Sequence, residues 1–481
     1  MKRVLLVRPR REPRFLSLSL PPLGLMYIAS YLKQNADEMA AVRILDLTIE
    51  RNGRKAMARA LEGFEPDLIG LSVMTPEAPD MNYFSQWFKG KVPKALVVAG
   101  GPHPNAAPED VLSDPNIDFV CLGEGERTAL ALVDRLARGL EMRDLPGLAY
   151  RSNGGFARNQ DVEPIEDLDS VPFPAWDLVP LTAYCSWRVL NPSLSRRRKL
   201  FTTLFTSRAC PYRCTYCHNI FGRRTRLRTA ENIYQEMREL EDRYGIYEFH
   251  VVDDVFNLRP DRVIALCDRI IEEKRKYHLA FVSGLRGDIL TEEVLDRLVE
   301  AGTYQVSVGI ESGSQRIQKA VKRNGDIQRA LAMIAYARGL GVITHGFFMF
   351  GFPDETREEM AATEKVALSA KLITAAFHTV APYPGTPLFD LLQERKRGEE
   401  IRMEEIFFKS PTMNLSNVST SELHRAIKRA FRRFYFDRRR LMTIWRSAPR
   451  KIDVIVSAVF HLLMDPRLMR FKQWIVGRTN Y

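Results

Sequence analysis

The stretch "SRACPYRCTYCHN", Ser207–Asn219, sets Cys210, Cys214 and Cys217 within eight residues, half of the six cysteines in a chain of 481. Its first two residues end "LFTTLFTSR", Leu200–Arg208, whose β-branched and apolar residues read as a strand. With 45% hydrophobic and 27% charged residues the composition is that of an ordinary globular protein, so six cysteines are no disulfide framework and a cluster of three points to metal. Thiolates at Cys-x3-Cys-x2-Cys can fold around one compact centre. On a four-iron cluster, three thiolates leave the fourth iron without a protein ligand, an open corner of the kind a catalytic zinc keeps. A zinc ion completed by a distant residue is the alternative; His218, next to Cys217, is poorly placed for the same ion. Cys121, Cys185 and Cys267 lack such spacing and read as buried free thiols.

Around the cysteines, residues 199–395 alternate strand and helix signals. After the first strand come "EFHVVDD", "LAFVSGLR", "YQVSVGIES", "ITHGFFMFGFP" and "AAFHTVAPY". Six βα units predict a partial (βα)6, TIM-like barrel whose chemistry sits at the C-terminal ends of its strands. Residues 1–140 alternate in the same way, through "RVLLVRP", "VRILDLT", "DLIGLSVMT", "ALVVAGGP" and "FVCLGEG". They predict a doubly wound, Rossmann-like parallel sheet with ligands at the strand C-termini. Residues 141–198, rich in Pro, Gly and Asp, read as a linker with a hairpin around Asn153-Gly154-Gly155. Residues 396–481 read as a helical, basic C-terminal region: from Ser421 onward 15 Lys and Arg face 4 Asp and Glu, so this tail carries nearly all of the net charge of +12. The fold class is therefore α/β.

Cys-x3-Cys-x-aromatic-Cys after the first strand of a partial barrel resembles the radical SAM superfamily, over residues 200–390. The resemblance implies a [4Fe-4S] cluster on Cys210, Cys214 and Cys217. Its open iron binds S-adenosyl-L-methionine (SAM), which is cleaved to a 5′-deoxyadenosyl radical. Tyr216 would lie against adenine. Where the family usually has Gly-Gly-Glu on the second strand, this chain has "VVDDVFN", so Asp253 or Asp254, with Asp254 preferred, would accept from the SAM ammonium. Ser283 and Arg286 end the third strand, and Arg286 is placed to pair with the SAM carboxylate. Glu311 ends the fourth strand and would bind the SAM amino acid or ribose. Gly351 ends the fifth and would admit backbone to the adenosine. Turns and helix caps are the ordinary alternatives for these polar groups; "PDET" has capping-box character with Asp354 or Thr356 as cap.

The first region lacks the Gly-x-Gly-x-x-Gly fingerprint, so NAD is not expected. The ordered pieces "PPLGLMYIASYL", "DLIGLSVMTP", "VVAGGPHPNAAPED" and "GEGERTAL", with the linker "VPFPAWDL", resemble the cobalamin-binding domain of B12-dependent radical SAM proteins. In that frame Gly100 and Gly101 let backbone approach the cobalamin tail, Ser72 hydrogen-bonds it, and Gly123 and Gly125 sit beside it; a tight turn would also account for each glycine. The Asp-x-His-x-x-Gly cobalt-ligand motif is absent. No histidine is expected below cobalt; His103 reads as a loop residue near the tail, and the loop "PRFLSLSLPP" as cover for the lower face.

The resemblance implies a cobalamin-dependent radical SAM methyltransferase. It would methylate an unactivated carbon of an apolar substrate, such as a lipid, through the 5′-deoxyadenosyl radical and methylcobalamin. A ring-forming cyclase with the same cofactors and a cobalamin sensor with a degenerate barrel are the alternatives. The electron would come from a donor such as flavodoxin or ferredoxin. No apolar stretch approaches the ~20 residues of a spanning helix and the N-terminal apolar run is too short for a signal peptide, so a cytoplasmic protein is expected. Arginines interleaved with aromatics in "FRRFYFDRRRLMTIW", followed by the apolar "IDVIVSAVFHLLMDPRLMRFKQWIV", suit a peripheral contact with the inner face of the membrane. A helical cap on the barrel is the alternative, and nucleic acid is not expected.

Overall fold

The computed structural model describes residues 1–451 except 11–16, 19, 37, 187–188, 191–195, 219, 397–400 and 402–412. The chain begins with β1 (Lys2–Arg8), β2 (Ser17–Leu18), β3 (Ala40–Asp46), β4 (Leu68–Ser72), β5 (Leu96–Gly100), β6 (Phe119–Cys121), β7 (Leu148–Ser152) and β8 (Gly155–Arg158). Seven of these form one sheet, in the order β3-β1-β4-β5-β6-β7-β8. The first five strands in that order are parallel and the last two antiparallel. The short apolar strands are covered on both faces, as a parallel sheet requires. Val4 and Leu6 pack under the helices Leu23–Asn35 and Gly125–Arg138, while Leu5 and Val7 pack with Met57, Phe84 and Phe88 on the other side. The chain crosses from β3 back over β1 to β4, which leaves a topological switch point between β1 and β4.

The hairpin turns at Asn153-Gly154, as expected, with Ser152 opposite Gly155. It extends the first sheet through β6–β7 pairing, however, so residues 148–158 belong to that sheet and not to a separate linker. The rest of the connection is tied to both halves. Tyr184 donates to Asp46 at 2.8 Å, the Ala175 amide donates to the Met26 carbonyl, and Asp169 accepts from Thr229. A two-residue strand β9 (Val189–Leu190) pairs with β2.

The second sheet is built from β10 (Thr202–Leu204), β13 (Glu248–Val251), β14 (His278–Leu285), β15 (Thr303–Glu311), β16 (Ile343–Phe350) and β17 (Thr374–Thr379), parallel and in sequence order. Between its first two strands a small ladder of β11 (Ser207–Arg208) and β12 (Arg226–Leu227) brackets the cysteine loop. Helices cover the outside. Thr229 and Gly245 bound the helix Ala230–Tyr244, and Thr356 with Glu359 forms the capping box of Arg357–Ser369, so Thr356 and not Asp354 is the cap.

The C-terminal helices are Thr420–Tyr435 and Arg438–Ser447. The first buries Leu423, Ala426, Ala430 and Phe434 against β16, β17 and the helix Arg357–Ser369. Its Tyr435 hydroxyl bonds to both the amide and carbonyl of Ala375, blunting the free edge of β17. Arg429 and Arg433 both pair with the buried Glu364. This part of the basic tail is thus a helical cap on the barrel. The stretch from Ile452 onward, which carries much of the membrane expectation, lies outside the described residues.

Candidate functional site

The cysteine loop leaves β11 through Ala209, whose φ of +73° turns Cys210 away from the direction of Arg208. Its fold is then fixed from outside. The Thr215 amide donates to the Val321 carbonyl, the Leu388 amide donates to the Thr215 carbonyl, and Arg223 donates to the Tyr212 carbonyl. The Arg286 guanidinium lies 3.6 Å from the centre of the Tyr212 ring. The structure brings the three thiols together. Burial pushes Cys217 up to about 12, and Asp254, Cys214 and Cys210 add to the rise. Cys210 is raised by burial, with Asp254 and Cys214 adding. Buried thiols next to a carboxylate favour a cationic centre that displaces their protons, which is the donor chemistry an iron cluster needs. Among the described residues, no three His, Cys, Asp or Glu side chains form a set for a single metal ion.

The ends of β13–β16 face this loop. Asp253 and Asp254 are told apart by their partners. Asp253 is 2% exposed and accepts from the Thr206 amide, the Thr206 hydroxyl and the Ser207 hydroxyl, each at 2.6 Å. It is committed to the fold, whereas Asp254 lies beside Cys217, with burial raising its pKa and His218 opposing. Glu311, held at a φ of +68°, is also raised by burial and opposed by Arg323. Tyr216 packs its ring on Phe352 at 5.6 Å, close to Glu311 and Arg323. Arg286 is engaged by Asp288 at 2.9 and 2.7 Å and by the Arg323 carbonyl at 3.2 Å, but its Nη1 is buried without a partner. Ser283 lies on β14, half-buried.

Gly351 also answers to the fold. Its amide donates to Glu355 at 2.6 Å, and a Cβ there would meet Leu423 of the C-terminal helix at 3.0 Å. Its φ of +88° and the packing of that helix explain the glycine without an adenosine.

The first sheet opens at its switch point into a cavity of about 490 Å³. Val4, Leu6, Leu68 and Val98 of the sheet and Leu25 and Leu132 of the covering helices wall its apolar floor. Ser72, Gly100, Gly101, Gly123 and Gly125 all line it. A Cβ on Gly101, at a φ of +97°, would stand 3.1 Å from the Val73 amide and carbonyl, and one on Gly125 would press on Ile28 at 2.7 Å. Those two glycines serve the protein's own close approaches. At Gly24 and Gly123 an added Cβ meets no protein atom within 4 Å, so side chains there would project into open space. His103 is corrected: it lies in the short helix Pro102–Ala106, fully buried, with Nε2 3.3 Å from Asp110, and it does not line the cavity. Its neighbour Asn105 does, donating to the Gly101 carbonyl and accepting from the Gly123 amide. Cys121, expected as a buried thiol, also reaches the cavity. Of the loop "PRFLSLSLPP", Leu20, Pro21 and Pro22 line the cavity, while Pro13–Leu16 and Ser19 are outside the described residues.

The far wall of this cavity comes from the other half of the molecule. His218, Ile220 and Phe221 of the cysteine loop line it, with Phe205 and Val252 from the barrel. His218, next to Cys217, thus also lines the other chamber. Arg323 was not legible in the sequence. Burial alone would lower its pKa, but Tyr216, Glu311 and Cys214 around it raise it.

The profile of the radical SAM superfamily matches residues 204–367, and that of the B12 binding domain matches residues 16–133. An uncharacterized methyltransferase of Pyrococcus horikoshii is 32% identical over 440 residues, spanning 90% of this chain and 92% of the relative. The chain belongs to the B12-binding radical SAM family. A second relative, the cytidylyl-2-hydroxyethylphosphonate methyltransferase of Streptomyces wedmorensis, is 30% identical over 436 residues, 81% of this chain and 80% of its own. Among solved structures, the radical SAM methyltransferase TsrM from Kitasatospora setae, with cobalamin and a [4Fe-4S] cluster bound, superimposes with a TM-score of 0.67 at 21% identity, covering 84% of this chain and 76% of that one. This B12-binding radical SAM enzyme thus works with a [4Fe-4S] cluster, SAM and cobalamin. The residues present fit all three: grouped thiols for the cluster, an orphaned guanidinium nitrogen and raised carboxyls for SAM, and a slot between sheet and helices for a flat nucleotide tail.

Proposed function

We propose that this enzyme transfers a methyl group to an unactivated carbon of a small apolar substrate held where the cysteine loop meets the cavity. The observation that carries the reading is that His218, Ile220 and Phe221 belong to the cysteine loop and also line the cavity of the first sheet. A substrate there touches both chambers, and its surroundings are Phe205, Ile220, Phe221 and Val252. When bound, the cluster and SAM supply the hydrogen-abstracting radical and cobalamin the methyl group. The chain's own residues then bind and exclude. Cys210, Cys214 and Cys217 hold the cluster. Asp254, Glu311, Arg286 and Arg323 orient SAM, with Tyr216 against its adenine and Ser283 alongside. Ser72, Gly100 and Gly123 receive the cobalamin tail. The aromatic wall keeps water from the reacting carbon. A reduced flavodoxin or ferredoxin supplies the electron.

The test is anaerobic reconstitution with iron, sulfide and cobalamin, followed by turnover against a panel of apolar substrates. Methyl transfer yields both S-adenosylhomocysteine and 5′-deoxyadenosine with a methylated product; 5′-deoxyadenosine with product but without S-adenosylhomocysteine would replace this reading by a cyclase.

No helix among the described residues is long and apolar enough to cross a membrane. A peripheral contact is supported instead by the helix Arg438–Ser447, whose Leu441, Met442 and Trp445 are exposed beside Arg438, Arg439 and Arg446. Flotation with phosphatidylglycerol vesicles, lost in Trp445→Ser, is the expected result; equal flotation of both proteins would remove the membrane from the reading.

A further inference from the structure

The "GEGE" stretch was singled out for its glycines, yet its glutamates are the residues that cross to the other half of the molecule. We propose that Glu124 is a positioning residue that clamps both stalks of the cysteine loop and so fixes the cluster relative to the cobalamin cavity. The inference rests on the reading of that cavity as the cobalamin site and names what holds the two cofactors in register.

The cysteine loop, residues 209–225, hangs from β11 and β12, where Arg208 stands directly opposite Arg226. Two guanidinium groups paired across a ladder repel, and both residues are 5% exposed, so water cannot screen them. Glu124 resolves the conflict with its two oxygens. One pairs with Arg208 at 2.7 Å and the other with Arg226. Glu126 takes the second nitrogen of Arg208 at 2.5 Å, giving two buried cations and two buried carboxylates. Burial pushes the Glu124 carboxyl up, but Arg226 and Arg208 outweigh it and hold the pKa below the usual range, so the clamp is ionised. Arg226 also donates to the Ile165 carbonyl at 2.8 Å and to the Phe221 carbonyl at 3.3 Å, binding the linker and the cavity-lining part of the loop to the same point.

The flanking residues aim the clamp. Glu124 opens the helix Gly125–Arg138 but makes no side-chain cap bond there, leaving both oxygens for the arginines. Gly123, at a φ of +73°, and Gly125, pressed against Ile28, hold the peptide on either side. On the partner side Ala209 turns Cys210 toward the barrel while Arg208 reaches into the first half. A chemistry in which two cofactors must reach the same carbon is sensitive to displacements on the order of 1 Å.

Amide hydrogen exchange on the full-length apo protein tests the clamp without any cofactor. In Glu124→Gln, amides of residues 207–227 are expected to exchange about 10-fold faster or more, with amides of β14–β16 little changed. Arg226→Gln, which leaves Glu124 paired with Arg208, serves if that variant fails to fold and is expected to act in the same direction. The double variant Glu124→Gln/Arg226→Met removes the unpaired buried charge, so midpoint denaturant concentration is expected to recover while loop exchange stays fast. Recovery of both would reduce Glu124 to a stability role and overturn the proposal, as would unchanged exchange in the single variants. In the reconstituted holoenzyme, magnetic coupling between reduced cluster and cob(II)alamin is expected to broaden or weaken in Glu124→Gln at unchanged iron content. Absence of bound cobalamin in the wild type would strike the cavity reading and leave the exchange result standing.

Discussion

At the ends of β4, β5 and β6 the first sheet presents Ser72, Gly100, Gly101 and Gly123 to an apolar cavity, while the second sheet presents Asp254, Arg286 and Glu311 to the cysteine loop. Both are parallel sheets with loops at their C-terminal edges, and they do opposite things there. The first makes room, with Gly123 and Gly24 open at the cavity and Asn105 tying two loops together. The second makes contacts, with charged side chains packed around thiols. In the proposed reading, the difference follows from the ligands. A large cofactor that brings its own reactive metal asks for space, whereas a cluster and a zwitterion ask for donors and counter-charges.

The contrast is broken most completely at the thiols. Cys214→Ala is expected to abolish cluster assembly and all 5′-deoxyadenosine formation, while cobalamin still binds at the wild-type stoichiometry; absorption spectra and metal content check both halves. Loss of cobalamin as well would mean that the two sheets do not act separately.

The next effect separates two adjacent carboxylates. Asp253→Ala strips the Thr206 amide and two hydroxyls of their acceptor beside Arg262, and is expected to lower stability by about 3 kcal/mol in urea unfolding. Asp254→Asn is expected to leave the free energy of urea unfolding within ~0.5 kcal/mol and to weaken SAM binding about 10-fold.

A pH experiment probes the support behind β16. Glu355 is fully buried, accepts from the Gly351 and Phe352 amides, and has one oxygen without a partner; burial raises its pKa to about 8, with those two amides opposing. Because the folded value lies above the ordinary 4.5, this carboxyl's stabilisation is complete below pH 4.5 and lost as pH rises through about 8. Glu355→Gln is expected to remove that loss, gaining up to about 3 kcal/mol over the native protein at pH 9 and nothing at pH 4. Parallel stability profiles for the two proteins would show that the carboxyl is not buried as described.

The smallest effect sharpens the meaning of the glycines. Gly123→Ala adds a methyl group that meets no protein atom and costs about 1 kcal/mol through its positive φ, but it is expected to weaken cobalamin binding several-fold. Gly101→Ala, with the Val73 backbone 3.1 Å from the new carbon, is expected to lose more stability than Gly123→Ala, read as a lower melting temperature.

Much of the architecture was legible because it is written in local patterns. Alternating apolar runs marked β1, β4, β5 and all six barrel strands, and three cysteines after a strand marked the loop that the family's cluster motif occupies. Local patterns also misled. The hairpin at Asn153 looked like linker because the edge it joins is far away in sequence, and the packing demand on Gly351 was hidden because the helix against it starts some seventy residues later. His103 looked like a loop residue near the tail because a short helix and its pairing with Asp110 leave little trace in composition. Glu124, Arg208 and Arg226 were unremarked because surface charges have the same letters.

By itself the sequence determined the alternating strands of the barrel, the grouping of three thiols in one loop and, through the family these resemble, the kind of chemistry, since spacing along a chain dictates what can fold round one metal centre. The tertiary structure decided which of two aspartates is free, which glycines face open space, and that the cysteine loop forms a wall of the other chamber. Those depend on hydrogen-bond partners and burial between segments far apart along the chain. Long-range partners, more than residue type, set whether a charge belongs to the fold or to the site.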